Sequence, residues 1–328
     1  MTDFAPSATP RIRRLPAWLP PALGVIGVLG LLALSLSVGA YDLGRDEFGG
    51  ELFWITRVPR TISLVLAAMA MCVAGLIMQL LTQNRFVEPT TTGTTEWASL
   101  GLLLITLLAP QAGIPVRMIV ASAAAFVGTM LFILVLRRIQ LRSSLIVPLV
   151  GMMLGAVVSA FTTYLAASTN MLQMLGTWFQ GSFSAVVRGR YESLWVVAIV
   201  VVLVWIAADR FTVAGLGKDV ATSVGLNYER VVFIGTALVA IAAGVTTVVV
   251  GFLPFLGLVV PNLVTMARGD NLRSNIPWVC LGGAALVLAC DVIGRVIIFP
   301  FEIPVSMILG IVGAAVFIAL LLKGRPRG

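Results

Sequence analysis

The chain of 328 residues is 59% apolar and 11% charged, carries a net charge of +8 and contains no His. Soluble domains are about 25% charged, so this composition excludes one. The absence of His removes the commonest metal ligand and proton shuttle, and a soluble basic face for nucleic acid is missing. Barrel strands alternate apolar and polar residues. The apolar runs here are continuous, which predicts membrane-spanning helices, each about 20 residues long.

In chain order the spans are predicted at 19–40, 61–82, 94–110, 116–136, 145–166, 193–208, 231–250, 251–267, 277–299 and 303–322. The fold class is therefore an all-α polytopic membrane protein of about ten helices. A single transmembrane domain, 19–322, lies between tails at 1–18 and 323–328. Arg13 and Arg14 before the first run resemble a signal-peptide n-region. The run is longer than a usual h-region, however, and nine more spans follow, so a retained helix is expected. Span 251–267 holds Pro254 and Pro261 and is expected to be kinked or broken, tolerable only where buried in protein or lining a cavity. With the N-terminus inside, fifteen of the 22 Lys and Arg fall on inner segments. Arg45, Arg57, Arg60, Arg117, Arg188, Arg190 and Arg295 fall outside. This bias places both termini in the cytoplasm.

Cys72, Cys280 and Cys290 read as small packing residues within spans. Gly151 and Gly155 form a G-x-x-x-G, and Gly282, Gly283, Gly310 and Gly313 mark the last two spans. Such residues allow close helix approach in lipid, here read first as packing inside the bundle. Residues 209–230, DRFTVAGLGKDVATSVGLNYER, form the largest internal cytoplasmic loop. Within it LGKDVATSVGL reads as a short helix, with Gly217 before it and Gly225 at its C-terminal end. It is either a solvated hairpin or a docking element for a cytoplasmic partner. Its Gly-Lys pair fails as a phosphate loop: Thr212 stands where the first Gly belongs and Asp219 follows Lys218.

Charges in or beside spans mark function by default. Asp291 and Arg295 are i and i+4 on one helix, a spacing for mutual neutralisation, although Arg295 is near enough to the outer end to enter the outer mouth. Glu302 lies in the outer turn FPFEIP. Glu96 lies near the cytoplasmic start of the third span, as a helix-terminal carboxylate or on a polar path. Arg57 and Arg60 flank Val58-Pro59 on the outer face, either snorkelling or facing an anion or acidic protein surface.

RVPRTISLVLAAMAMCVAGLIMQLLTQNRFVEPTTTGT resembles the R-x-P-R…G-x-x-x-Q-x-x-x-x-N-P-L-x-x-P-x-x-L-G signature of the iron–siderophore and vitamin B12 ABC-transporter permeases. The matching residues are Arg57, Pro59, Arg60, Gly75, Gln79, Asn84, Pro89 and Gly93. GFLPFLGLVVPNLVTMARGDN is similar to the family's G-x-x-x-F-x-G-L-x-x-P-H-x-x-R segment. LACDVIGRVIIFPFEIPVSMILGIVGAAVFIALLLK is similar to its C-terminal segment, and LGKDVATSVGLN to its coupling segment. Together these run from Arg57 to Lys323. The departures are Asn84-Arg85-Phe86 for N-P-L, Pro261-Asn262 for P-H, and Ser306 and Ala314 for a later glycine and proline. The N-R-F-V-x-P-T-T variant resembles permeases for ferric catecholate-type siderophores.

The resemblance implies a vitamin-B12-permease-like ABC importer fold of ten helices in the cytoplasmic (inner) membrane. Its implied partners are a second permease subunit, more often a different chain than an identical one, two cytoplasmic ATPases, and an extracytoplasmic binding protein. It implies no cofactor and no resident metal. Arg57, Arg60 and Arg295 match the arginines that receive acidic residues of the binding protein. Gly217, Ala221, Ser223, Val224 and Gly225 match the ATPase-coupling segment. Ser159, Thr162, Thr163, Asn170, Gln173, Trp178 and Ser182 are candidate pathway residues, with Met152, Met153, Met171 and Met174 nearby as adaptable surface or plain core. The alternatives are an importer of cobalamin or haem, or an ion-gradient-driven secondary transporter titrating Glu96 or Asp291. Such a transporter favours paired broken helices in inverted repeats, and one proline-broken span has no match in the other half. An intramembrane enzyme finds no supporting His cluster, Cys–His pair or carboxylate pair.

Overall fold

The computed structural model describes residues 19–39, 49–139 and 145–323. The N-terminal tail at 1–18, Arg45, Arg142 and most of the C-terminal tail lie outside the described residues. The described chain is helical: α1 Leu19–Ser37, α2 Gly49–Leu52, a π-turn Phe53–Arg57, α3 Val58–Leu81, α4 Thr94–Leu108, α5 Ile114–Leu136, α6 Ile146–Ser168 and α7 Leu172–Phe179. It continues with a 3-10 turn Tyr191–Leu194, α8 Trp195–Ile206, α9 Ala208–Gly215, α10 Lys218–Ser223, α11 Tyr228–Val249, α12 Leu256–Arg268, α13 Leu272–Val296 and α14 Val305–Lys323. Every predicted span falls on a helix. Among the described residues, five helical stretches are long and apolar enough to cross a bilayer: Gly50–Leu81, Ile114–Leu136, Ile146–Ser168, Tyr228–Val249 and Leu272–Val296. The stretch Tyr191–Ile206 and α9, bent by 64°, make a sixth if counted as one span.

α3 is the axis of the bundle. It is buried along most of its length, with α8, α11, α12 and α13 packed around it. It begins earlier than the predicted start at 61, because the helix passes through Pro59 by way of the π-turn. Proline has no N–H to give the carbonyl four residues back. That carbonyl, on Ile55, instead accepts from the Arg188 backbone N–H at 3.0 Å.

The same economy corrects the reading of 251–267. Pro261 sits inside α12 without breaking it, and the irregular backbone is confined to Gly251–Phe255 before the helix. Pro261 leaves the Gly257 carbonyl without its helical donor, and Gln79 Nε2 of α3 donates to it at 3.3 Å. This contact needs Gly75, where a Cβ would lie 2.0 Å from the same oxygen. With 13 residues, α12 is about 20 Å long, short of the roughly 30 Å hydrocarbon core.

Gly151 and Gly155 pack inside the chain as expected. A Cβ on Gly151 would meet the Thr91 carbonyl oxygen at 2.3 Å, and one on Gly155 would meet Gly93 Cα at 3.1 Å. The three cysteines are free. The 209–230 region is less solvated than predicted. α9 is amphipathic and buries Phe211 and Ala214, and Gly215 lies close against Leu80 of α3.

Candidate docking, coupling and pathway sites

At one end of the bundle the arginines and acids predicted separately form one network. Arg60 Nε and Nη2 donate to Asp291 Oδ1 at 3.1 and 2.7 Å, and its Nη1 donates to both Glu302 oxygens at 2.9 Å. Arg295 Nη2 donates to Asp291 Oδ2 and, at 2.8 Å, to Ser35 Oγ. Its Nη1 reaches the Ser35 and Val38 carbonyls at 3.0 and 2.7 Å. Arg57 Nη1 donates to the Leu36 and Ser37 carbonyls at 3.0 and 3.1 Å. Ser184 Oγ donates to Glu302 at 2.7 Å. Burial raises the Glu302 carboxyl, but Arg60 and Ser184 outweigh it and hold the group below its ordinary value.

The i,i+4 pairing of Asp291 and Arg295 is present, and Arg60 joins it from α3. Arg295 is largely buried, with a side chain 5% exposed, and ties α13 to the end of α1 from the back of the outer cleft. A buried charge must be paired to be tolerated, so the network is fixed by its own desolvation. A cleft of about 190 Å³ opens above it, lined by Arg57, Arg60, Arg295, Glu302, Ser184 and Phe183.

The opposite end carries the coupling segment. Asn227 caps α11, accepting from the Arg230 N–H at 3.0 Å. α10 ends as the sequence predicts, with Gly225 at φ +81°. The Leu226 N–H donates to the Ala221 carbonyl at 2.9 Å and the Gly225 N–H to that of Thr222 at 3.0 Å, the paired bonds of a Schellman stop. Gly217 starts α10 at φ +109°. Ala221 is buried and Ser223 exposed. Leu216, Val220 and Val224, four residues apart, are 64%, 45% and 66% exposed. Val220 and Val224 lie one turn apart on a single face of α10, Leu216 precedes the Gly217 turn, and all three stay uncovered among the described residues. Glu229 pairs with Arg137 at 2.7 Å and Lys218 at 3.2 Å, bracing the segment against α5.

Between the two ends, loop 82–93 is clamped to α12. Asn84 Oδ1 accepts from the Phe86 N–H at 2.9 Å. Asn262, standing where the family carries His, donates to the Arg85 and Leu258 carbonyls, both at 2.7 Å. Glu88 is the functional-looking residue that sequence reasoning passed over. It is fully buried; its Oε1 accepts from Thr90 Oγ1 and from the Phe255 N–H at 2.9 Å. Phe255 is held at φ +61° immediately before α12. Burial lifts the Glu88 carboxyl to about 7 in spite of these bonds. The available signal was a lone carboxylate between Val87 and Pro89 inside a signature loop.

Glu96 lies in the first turn of α4, accepts from Thr95 Oγ1 at 3.0 Å and faces Gly155. Of the pathway candidates, Thr163, Asn170 and Gln173 are exposed on α6 and its continuation, beside Met152, Met153 and Met174. Ser159 and Ser182 are half-buried. Thr162 is turned inward, bonded to the Val158 carbonyl at 2.7 Å, and Trp178 packs on the core beside Leu103. Among the described residues no His, Cys, Asp and Glu group has the form of a metal site.

A model of the FecCD transport family matches residues 23–323. The chain belongs to that family. The petrobactin import system permease protein FatD of Bacillus anthracis is 56% identical, over 94% of this chain and 93% of its own. The ferric-anguibactin transport system permease protein FatD of Vibrio anguillarum is 40% identical, over 92% of this chain and 98% of its own. A solved structure titled as an inward-facing metal-chelate type ABC transporter has the same fold, with a TM-score of 0.79 at 22% identity over 93% and 99% of the two chains. As a FecCD chain this is a multi-pass membrane permease of an import system, and not itself an enzyme.

Proposed function

We propose that this chain is the permease subunit of an ABC importer that carries a ferric siderophore, of the catecholate class, across the cytoplasmic membrane. The observation that carries the reading is the FecCD match over nearly the whole chain together with relatives that are siderophore permeases by name. In this reading the chain makes ten crossings with both termini inside, and a second permease, preferably a different chain, completes the pore. Of two ATPase subunits, one binds the exposed Leu216, Val220 and Val224 of this chain and the other binds the second permease. An extracytoplasmic binding protein places carboxylates in the Arg57–Arg60 cleft, while Arg295 holds that cleft from behind through Asp291. The exposed Thr163, Asn170 and Gln173 face the pathway, a weakly binding polar surface suited to a large chelate.

The secondary-transporter reading is disfavoured by the environment of Asp291. Asp291 is held by both Arg60 and Arg295 and ties α13 to α3, the arrangement of a structural strut. The test is radio-iron uptake by iron-starved cells with and without this gene, offered ferric petrobactin, ferric anguibactin or labelled cobalamin one at a time. Loss of siderophore-borne iron with cobalamin uptake intact is expected. Loss of cobalamin uptake alone would move the chain to the other branch of its family.

A further inference from the structure

On the flank formed by α5, α8 and α11 the bundle carries two adjoining depressions. The first is an apolar groove of about 670 Å³. It is walled by Met118, Ile119 and Ala123 of α5, Ile241 and Val245 of α11, and Val196 of α8, and its one polar lining residue among those described is Ser122. Gly244 makes the groove possible, because a Cβ there would meet Ser122 Oγ at 2.4 Å and force α5 and α11 apart. The second is a cleft of about 350 Å³, floored by Leu102, Val248 and Val249 and carrying Arg117 and Arg190. Ile114 and Val249 line the cleft, and Met118 and Val245 line the groove. Each step is one helical turn, so the two depressions follow one another along the same pair of helices.

Arg117 is aimed by its own loop, donating to the Ala112 and Pro110 carbonyls at 3.0 and 2.9 Å. Arg190 is exposed. Neither guanidinium meets a carboxylate among the described residues, in contrast with Arg60 and Arg295. Two uncompensated cations therefore stand at the head of a groove that accepts only apolar matter. From Pro115 to Val127 the groove runs about 18 Å at the helical rise, close to half of the roughly 30 Å hydrocarbon core.

We infer that this flank is a binding site for an anionic phospholipid, with the phosphate between Arg117 and Arg190 and an acyl chain along α5 and α11. Guanidinium pairs bind phosphate oxygens through paired N–H bonds, and Arg117 and Arg190, both on the predicted outer side, meet the headgroup level of the outer leaflet. The depth of the groove, one leaflet, selects a lipid over a free anion. The inference rests on the membrane setting alone and stands whichever chelate is carried.

The test is native mass spectrometry of the full chain, in the complex with which it purifies, after exchange into phosphatidylglycerol or phosphatidylcholine of matched acyl chains. The wild-type protein is expected to retain phosphatidylglycerol about tenfold better. Arg190→Gln, at an exposed position, should lower that preference, and Arg117→Gln with Arg190→Gln should abolish it. Ala123→Phe, which fills the groove from an exposed position, should release both lipids with the melting temperature unchanged. Equal retention of the two lipids by the wild type, or an undiminished preference in the double variant, would overturn the inference. So would a preserved preference in Ala123→Phe, or full displacement by glycerol phosphate, since either makes the cleft a simple anion site.

Discussion

Glu88 concentrates the chemistry of the loop–helix clamp in one carboxyl group. Its folded value near 7 lies above the ordinary 4.5, so between these values the folded state binds a proton that the unfolded state has released. Stability from this group is fully present below about pH 4.5 and is lost as pH rises through 7. At about 1.4 kcal/mol per unit, the loss is on the order of 3 kcal/mol. The melting temperature of the purified protein should fall from pH 5 to pH 8, and Glu88→Gln should flatten that slope. Superimposable profiles for the two proteins would remove Glu88 as the titrating group. Arg57 and Arg60 invite a second test at this scale. Charge reversal at either should slow binding-protein association and flatten its salt dependence. Because Arg60 neutralises Asp291 and Arg57 holds the Leu36 and Ser37 carbonyls, either reversal should cost stability as well as docking. Wild-type affinity and salt slope in both variants would contradict the docking role.

At the scale of elements, the coupling segment and the α3–α12 contact make opposite demands. α10 must hold its shape while presenting Val220 and Val224. Val224→Asp should therefore weaken ATPase pull-down with membrane insertion unchanged. Gly225→Val should act through the backbone, since a left-handed residue with a Cβ costs roughly 1–2 kcal/mol. Unchanged pull-down in both would assign the ATPase to another surface. The α3–α12 contact is internal. Gln79→Leu leaves the Gly257 carbonyl without a donor, a loss of about 1–3 kcal/mol, to be read as a lower melting temperature with the pull-down intact. These two elements also mark what the sequence could convey. The short helix ending at Gly225 was legible because a left-handed stop has a residue signature. The pairing of Gln79 with the carbonyl freed by Pro261 was not, because nothing local says which distant amide meets it. The straight passage of α3 through Pro59 was hidden for the same reason: Ile55 is satisfied by Arg188, far along the chain. Glu88 and the burial of Arg295 depend on where helices cross, which periodicity does not encode. The apolar runs themselves were legible, since each needs only its own residues to become a helix in lipid.

For the whole molecule, the proposed role is that of a permease subunit recognised by partners at both ends and powered by one of them. The chain lacks a phosphate loop, and its one Gly-Lys pair opens α10 where a partner is proposed to dock. Ion-pair networks stand at both ends, Arg60 with Asp291 and Glu302 at one and Glu229 with Arg137 and Lys218 at the other, and Glu88 is buried between them. The central claim is that this chain becomes a ferric siderophore importer only with an ATPase and a binding protein. The most direct measurement is radio-iron uptake into proteoliposomes holding the permease pair, with ATPase, binding protein and ATP supplied or withheld singly. The account predicts accumulation of the ferric siderophore only when all are present, and no ATP hydrolysis by the purified chain alone above a mock preparation. Accumulation driven by an ion gradient without ATP, or robust turnover of ATP by this chain alone, would contradict it.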